Sequence, residues 1–223
     1  MLTTILTSHC KPGHCWEAIE SVLAQSYSDW QLIVMDSGIL YNANYFNRWG
    51  SCGKIHVATT GETEDMRKQW CMQSMAINSC FQRGLVHGDL VTFLSDDDLY
   101  EPDAFYQFAE TAWHNPLQHA WYGHASLWKQ VGSFSYERVG DLRADAIGGA
   151  DYTDLDCKAD GMQVCARRSV LDVTLWPVDI EFAGHADGVF LSMLGKRCPI
   201  HPLDFHVGSH RHTRDSTFSK STY

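Results

Sequence analysis

The sequence has no long apolar run. Nothing in it approaches the ~18 uninterrupted apolar residues of a bilayer-spanning helix, so no membrane span is expected. Its eight cysteines include no Cys-x-x-Cys pair, which removes the common zinc-ribbon and thiol-redox spacings and leaves reduced, mostly buried thiols as the expectation. His9-Cys10 and His14-Cys15 are separated only by Lys11-Pro12-Gly13, a poorer spacing than structural zinc uses. Basic residues are scarce: 17 Lys and Arg stand against 27 Asp and Glu, and the formal charge of −10 argues against broad binding to nucleic acid or anionic lipid. The amino terminus has no basic flank and no small-residue cleavage site. Met1 to Leu6 therefore reads as a first strand, and the cytoplasm is the expected compartment.

What remains is a chain of 223 residues, 44% apolar, with a mean hydropathy of −0.26. That is enough for one sizeable α/β core, so a single domain over residues 1–223 is expected. The acidity is uneven. Lys196, Arg197, Arg211, Arg214 and Lys220 face only Asp204 and Asp215 in the last stretch, making a local cationic patch.

The first half alternates strand-like and helix-like segments. Thr3 to Leu6 and Leu32 to Met35 are short apolar runs of strand length, and between them Cys15, Ile19, Val22 and Leu23 recur at helical spacing, which makes a βαβ unit. Lys54 to Ala58 reads as a third strand. A helix follows with Met66, Trp70, Ile77, Cys80 and Phe81 on its apolar face and Gln73 as an imperfection. Leu90 to Leu94 is the fourth strand, and Pro102 opens another helix with Phe105, Phe108, Ala109 and Ala112 inward. This order predicts a doubly wound, mostly parallel sheet. After His119 strand candidates are fewer (Trp121-Tyr122, Met162 to Ala166), and the Gly- and Asp-rich stretch from Gly140 to Gly161 reads as a loop, lining a site or merely solvated.

Asp96, Asp97 and Asp98 stand directly after the fourth strand. Carboxylates so close repel one another, and a divalent cation with oxygen ligands among them would relieve that repulsion. The position suits a ligand, since open α/β sheets bind beyond the carboxyl ends of their strands. A solvated acidic turn capping the next helix is the plainer alternative.

Several segments together resemble one family. Ile5 to Pro12 resembles a strand ending in a Pro-Thr-Tyr-Asn-like turn. Ala18-Ile19-Glu20-Ser21-Val22-Leu23-Ala24-Gln25-Ser26-Tyr27-Ser28-Asp29-Trp30 resembles a helix signature, and Gln31 to Gly38 the strand and Asp-Asp-Gly-Ser end that follow it. Phe93-Leu94-Ser95-Asp96-Asp97-Asp98 is similar to a Phe-Leu-Asp-x-Asp-Asp pattern. Cys165 to Leu171 and Ala186-Asp187 resemble, more loosely, a Phe-Arg-Arg-Ser-Leu-Leu segment and a Glu-Asp motif. These are the marks of family 2 glycosyltransferases, whose fold is the GT-A, Rossmann-like sheet of nucleotide-diphospho-sugar transferases with a smaller acceptor-side β region.

The resemblance implies roles. Residues 1–118 would form the nucleotide-sugar half and 119–223 the acceptor half. Thr7 and Ser8 would lie at the donor, and Asp36 on the position that contacts the base. Ser95 replaces the first aspartate of the Asp-x-Asp motif, which leaves Asp97 as metal ligand and Asp96 for the ribose; in the alternative register Asp98 is the ligand. Asp187 falls on the catalytic base, although its companion glutamate is replaced by Ala186; a helix-end carboxylate is the structural alternative. In His210-Arg211-His212-Thr213-Arg214, His210 or His212 would join the metal, their alternate positions being expected to point to opposite faces, and Arg211 and Arg214 would suit a diphosphate. A plain basic tail is the other reading. Asn78 lies near the family's Arg-Asn-x-Gly position without its arginine, and no role is carried onto it.

The implied activity is metal-dependent (Mn²⁺ or Mg²⁺) inverting transfer from a nucleotide-diphosphate sugar, UDP-sugar favoured, to an unidentified acceptor hydroxyl. A sugar-phosphate nucleotidyltransferase fits less well, because Thr7 to Cys15 holds only Gly13 where such enzymes carry a glycine-rich loop. A non-catalytic sugar-nucleotide or glycan-binding protein is the third possibility. Trp121, Tyr122, Trp128 and Tyr152 are candidates for stacking on an acceptor, or core.

Overall fold

Four apolar runs too short for helices pair side by side to make the centre of the sheet. The computed structural model describes residues 1–133, 135–143 and 159–213. Strands β1 (Leu2–Ser8), β2 (Trp30–Asp36), β3 (Ile55–Thr59) and β4 (Leu90–Ser95) lie parallel in the order β3-β2-β1-β4. Their side chains alternate between two faces. Ile5, Ile33 and Phe93 go to one core and Leu6, Leu32 and Leu94 to the other.

Helices cover both faces. α1 (Pro12–Leu23) packs Cys15, Ala18, Ile19 and Val22 into the second core, the helical spacing seen in the sequence. A one-turn helix α2 (Ile39–Asn42) follows β2. The helix expected after β3 is in fact two, α3 (Glu64–Gln69) and α4 (Met72–Gln82). Trp70 between them is extended and bridges Asp179, while the Cys71 N–H donates to the Val178 carbonyl at 2.8 Å. A tertiary contact thus takes the backbone groups that would have continued the helix. Gln73, the apparent flaw in the apolar face, lines the cleft described below.

After β4 come the two-residue strand β5 (Leu99–Tyr100) and α5 (Ala104–His114), which begins just after Pro102. Then β6 (Ala120–Gln130) and β7 (Tyr136–Leu142) form a hairpin, and β8 (Val164–Arg167) leads into α6 (Arg168–Leu171). α7 (Ala186–Arg197) and the long strand β9 (Ile200–His212) complete the described chain. The sheet continues from β4 as β8-β6-β9-β5, with β7 on β6. β8 is antiparallel to both β4 and β6, and β6 is parallel to β9, so β1 to β4, β6 and β9 all run one way. The sheet is mostly parallel, as expected.

The second half departs most from expectation. Gly140 belongs to strand β7 rather than to a loop, and residues 144–158, including Tyr152, lie outside the described residues. The tail up to His212 is not free: it is the 13-residue β9. Trp121 and Tyr122 are buried core, leaving them no surface for an acceptor. Among the described residues no helix is long and apolar enough to cross a membrane.

Candidate active site

Strand register assembles the first part of the site. Pairing of Ser8 with Asp36 and of Thr7 with Ser95 brings three strand ends to one edge of the sheet, with β1 between β2 and β4. The chain leaves β1 in both directions across the sheet, the switch point at which such sheets bind ligands.

The acidic triplet is held by the far end of the chain. After Ser95 the backbone turns, with the Asp98 N–H on the Ser95 carbonyl at 3.2 Å, and β5 pairs Leu99 with Ser209 and Tyr100 with Gly208 of β9. Gly208 is required there, because a Cβ would stand 2.1 Å from the Leu99 carbonyl oxygen. This close approach carries Asp98 to the strand bearing His210 and Arg211. Asp98 Oδ1 accepts from the Arg211 N–H at 2.8 Å, and Asp98 Oδ2 lies 3.2 Å from His210 Nδ1.

Each aspartate has a different environment. Asp96 Oδ2 accepts from the His9 N–H at 2.7 Å, yet burial raises its pKa to about 7 against the opposing pull of Lys11. Burial works the same way on Asp97, but Lys11 at 2.7 Å and the Thr213 hydroxyl at 3.0 Å outweigh it, and the carboxyl is held below its usual range. Asp98 is fully buried and raised to about 6, with His210 opposing the shift. Burial also disfavours charge on His210, but Asp98 and Asp160 facing it raise the imidazole to about 10.

Asp160 is the residue that sequence reasoning missed. Its Oδ1 caps the short 3₁₀ turn Gly161–Gln163 through the Met162 N–H at 2.8 Å, while Oδ2 lies 3.4 Å from His210 Nδ1. The available signal was Asp160-Gly161-Met162-Gln163, a capping-box pattern just before a strand. Asp98, Asp160 and His210 bring one ligand atom each to within 4.8 Å of one another, a set that could hold a metal ion.

Asp187 stands in the first turn of α7, where the helix dipole favours a carboxylate. Burial, and next Asp160, push its pKa well above the usual range. Gly161 leaves it room: a Cβ there would lie 3.1 Å from Asp187 Oδ1 and 2.9 Å from the Trp176 ring. Trp176 in turn stacks on Phe190 at 4.3 Å, and Asn78 holds its backbone by two hydrogen bonds of 2.9 Å, which gives Asn78 a structural place.

One open cleft of about 320 Å³ collects Thr7, Ser8, Ser95, Asp96, Asp97, Asp187, His210, Arg211 and His212. Asp160, Lys11, Arg67 and Glu62 join them. Asp98 is fully buried, and Arg214 lies outside the described residues. Asp36 is buried at the end of β2 and does not line the cleft: Oδ2 accepts the Gly38 and Tyr41 N–H groups at 2.7 and 3.0 Å, and Oδ1 has no hydrogen-bond partner among the described residues. His210 and His212 do not point to opposite faces. Residues two apart on a strand share a face, and their rings meet edge to face at 4.8 Å in the same cleft. Arg211 is 5% exposed, its Nε on the Asp97 carbonyl, Nη1 on Glu17, and its guanidinium 5.1 Å from the Tyr136 ring. Neither His-Cys pair gathers: Cys10 is exposed and Cys15 buried, His9 meets Arg67 and His14 meets the Tyr136 hydroxyl.

No protein-family model matches the chain. It is 24% identical over 222 residues to protein CgeD of Bacillus subtilis (strain 168), covering 96% of this chain and 51% of CgeD. Its structure is similar to that of S. aureus TarS residues 1–349 in complex with UDP-GlcNAc, with a TM-score of 0.73 at 10% identity over 100% of this chain and 61% of that one. It is also similar to mannosyltransferase PcManGT from Pyrobaculum calidifontis in complex with GDP-Man and Mn²⁺, with a TM-score of 0.64 at 15% identity over 98% of this chain and 59% of that one. The chain thus spans about half the length of CgeD and about three fifths of the two solved chains. These likenesses establish the fold, which is the GT-A fold expected from the sequence.

Proposed function

We propose that this chain transfers a sugar from a nucleotide-diphosphate sugar to an acceptor hydroxyl, with inversion at the anomeric carbon. The observation that carries this reading is the placement of Asp187 and the acidic turn after β4 on one cleft, at the switch point of a GT-A sheet. Residues 1–118 would supply the donor side, and the second half the base and the acceptor side.

Asp187 is the proposed base. A carboxylate with a raised pKa is a stronger proton acceptor than an ordinary one, and burial beside Asp160 is what raises it. As the acceptor oxygen bonds to the anomeric carbon, its proton passes to Asp187. The bond from that carbon to the diphosphate breaks, and the leaving nucleoside diphosphate takes the electron pair. No covalent enzyme intermediate is required. Thr7, Ser8, Ser95 and Asp96 would orient the donor, and Arg211 would meet its phosphates.

The donor set fits a divalent cation. Asp98, Asp160 and His210 offer two carboxylates and one imidazole, a combination suited to Mn²⁺, with Asp97 and His212 beside them. When bound, such a cation supplies positive charge to the departing diphosphate. PcManGT carries Mn²⁺ with its GDP-Man, which supports this assignment. Asp36 Oδ1, a fully buried acceptor without a hydrogen-bond partner among the described residues, would suit a ring N–H such as that of uracil once base binding uncovers it, which favours a UDP-sugar. Of the two solved neighbours, TarS was bound to UDP-GlcNAc and PcManGT to GDP-Man, so the preference for uracil rests on Asp36. The cytoplasm is the proposed compartment, in keeping with the seven described cysteines all being free thiols.

Asp187→Asn tests the reading. It should lower transfer by about 10²-fold or more while donor affinity stays near wild type. An Asp187→Asn protein with full turnover would remove the base and the mechanism built on it.

A further inference from the structure

Lys11 has no part in the chemistry above, yet it lines the cleft. It is the last residue before α1, and its ammonium lies 2.7 Å from Asp97 Oδ2 and 3.4 Å from Asp96 Oδ1. Its side chain keeps 19% of its surface exposed and lines the cleft wall. An ammonium has three N–H donors, so two directed at the aspartates leave a third. Burial disfavours its charge, but Asp96 and Asp97 more than offset that and keep it an ammonium.

Arg211 also holds Asp97, at its main chain. Its Nε donates to the Asp97 carbonyl oxygen and Nη1 to Glu17, while Nη2 is buried without a hydrogen-bond partner among the described residues. The chain therefore brings two cations, one from the residue before α1 and one from β9, onto a single aspartate beside the cleft; Lys11 keeps a donor at the cleft surface, and Arg211 keeps a buried one. A lysine that served only to neutralise the triplet would need neither the exposed surface nor the second cation. A phosphate can use both, as a point charge and a planar fork bind its oxygens in complementary ways.

We infer that Lys11, paired with Arg211 across Asp97, is a binding residue for the diphosphate of the nucleotide, and that this fixed cation pair gives the site affinity for nucleoside diphosphates without a divalent cation. The inference rests on the transferase reading and adds a residue that the reading does not require. The acidic groups then divide between two roles, with Asp97 holding the chain's own cations and Asp98, Asp160 and His210 left for a metal.

The test is calorimetric titration of UDP and GDP into the whole chain, with excess chelator and separately with Mn²⁺, for wild type, Lys11→Gln and Lys11→Arg, alongside unliganded melting midpoints. The expected result is diphosphate binding in chelator that Lys11→Gln weakens about 10-fold or more and Lys11→Arg largely restores. Wild-type binding confined to Mn²⁺ would overturn the inference, as would unchanged affinity in Lys11→Gln; in both cases the transferase reading survives. Equal losses in the two variants with lowered melting would make Lys11 a structural neutraliser and overturn it too. Absence of any diphosphate binding by wild type, with or without Mn²⁺, would instead bring down the transferase reading itself.

Discussion

The Arg211 N–H donates to Asp98 Oδ1 at 2.8 Å, so the acidic turn after β4 and the last described strand of the sheet are a single unit. Asp98 is fully buried and also faces His210 at 3.2 Å. Asp98→Ala removes both contacts and leaves the mostly buried His210 imidazolium without its nearest carboxylate. Breaking a buried pair from one side costs about 3 kcal/mol or more. The urea midpoint should fall accordingly, and Asp98→Asn, which keeps an acceptor for the Arg211 N–H, should lose less. An unchanged midpoint in Asp98→Ala would show that β5 and β9 hold together without it.

Gly161 separates Trp176 from Asp187. A Cβ at 2.9 Å from the indole and 3.1 Å from the carboxylate must displace one of them, and the indole is pinned against Phe190. Gly161→Ala is therefore expected to move Asp187 and lower turnover by about 10-fold or more, with donor affinity little changed. Steady-state kinetics beside donor titration separates the two, and wild-type kcat in this variant would show that the base tolerates displacement.

Asn78 holds the main chain of Trp176 through its carbonyl and amide. Asn78→Ala leaves two buried backbone groups unsatisfied and should destabilise the fold by about 2 kcal/mol. Thermal melting of the variant measures this. A loss within experimental scatter would mean that water or a rearranged segment replaces the amide.

Stability without bound cation should fall as pH rises from acid to neutral. Asp96 and Asp98 have folded pKa values of about 7 and 6 against an ordinary 3.8, and Asp187 is raised as well. Such groups favour the fold while protonated; their contribution is complete near pH 4 and is lost as pH climbs through the folded values. His210, raised to about 10 from 6.5, loses its contribution above neutrality, in the same direction. Asp97 and the exposed Asp141, with lowered values, act in the opposite sense at the acid end, and His9, His14 and His212, lowered chiefly by burial, do so as pH rises towards 6.5, so that the three raised carboxyls and His210 set the direction. The melting midpoint should thus be higher at about pH 5 than at about pH 8, and Mn²⁺ should recover more of it at the higher pH. A midpoint that rises steadily towards pH 8 without metal would contradict these assignments.

The first half was legible because its signals are local. Apolar runs such as Leu90 to Leu94, the spacing Cys15-Ile19-Val22, and the strand ends at Asp36 and Ser95 need no distant partner to be recognised, and they fix the edge where the site forms. Features set by long-range contacts escaped. The split at Trp70 depends on Val178 and Asp179, more than a hundred residues away. β9 is a strand whose exposed and buried positions include Asp204, His206 and His210, a polar pattern that reads as a tail until β6 and β5 pair with it. Asp187 and His210 were proposed through the resemblance, and the structure places both on the cleft. Lys11 and Asp160 were not, since a lysine before a helix and an aspartate before a strand acquire meaning only when Asp97 and His210 arrive beside them.

The most direct measurement is calorimetric binding of UDP, GDP, dTDP and CDP to the wild-type chain in the presence of Mn²⁺. Selective binding of one nucleoside diphosphate, UDP first, strengthened by Mn²⁺ and losing that metal response in Asp160→Ala, is the predicted result. Failure of all four to bind would contradict the donor site and return the acidic turn to a structural role.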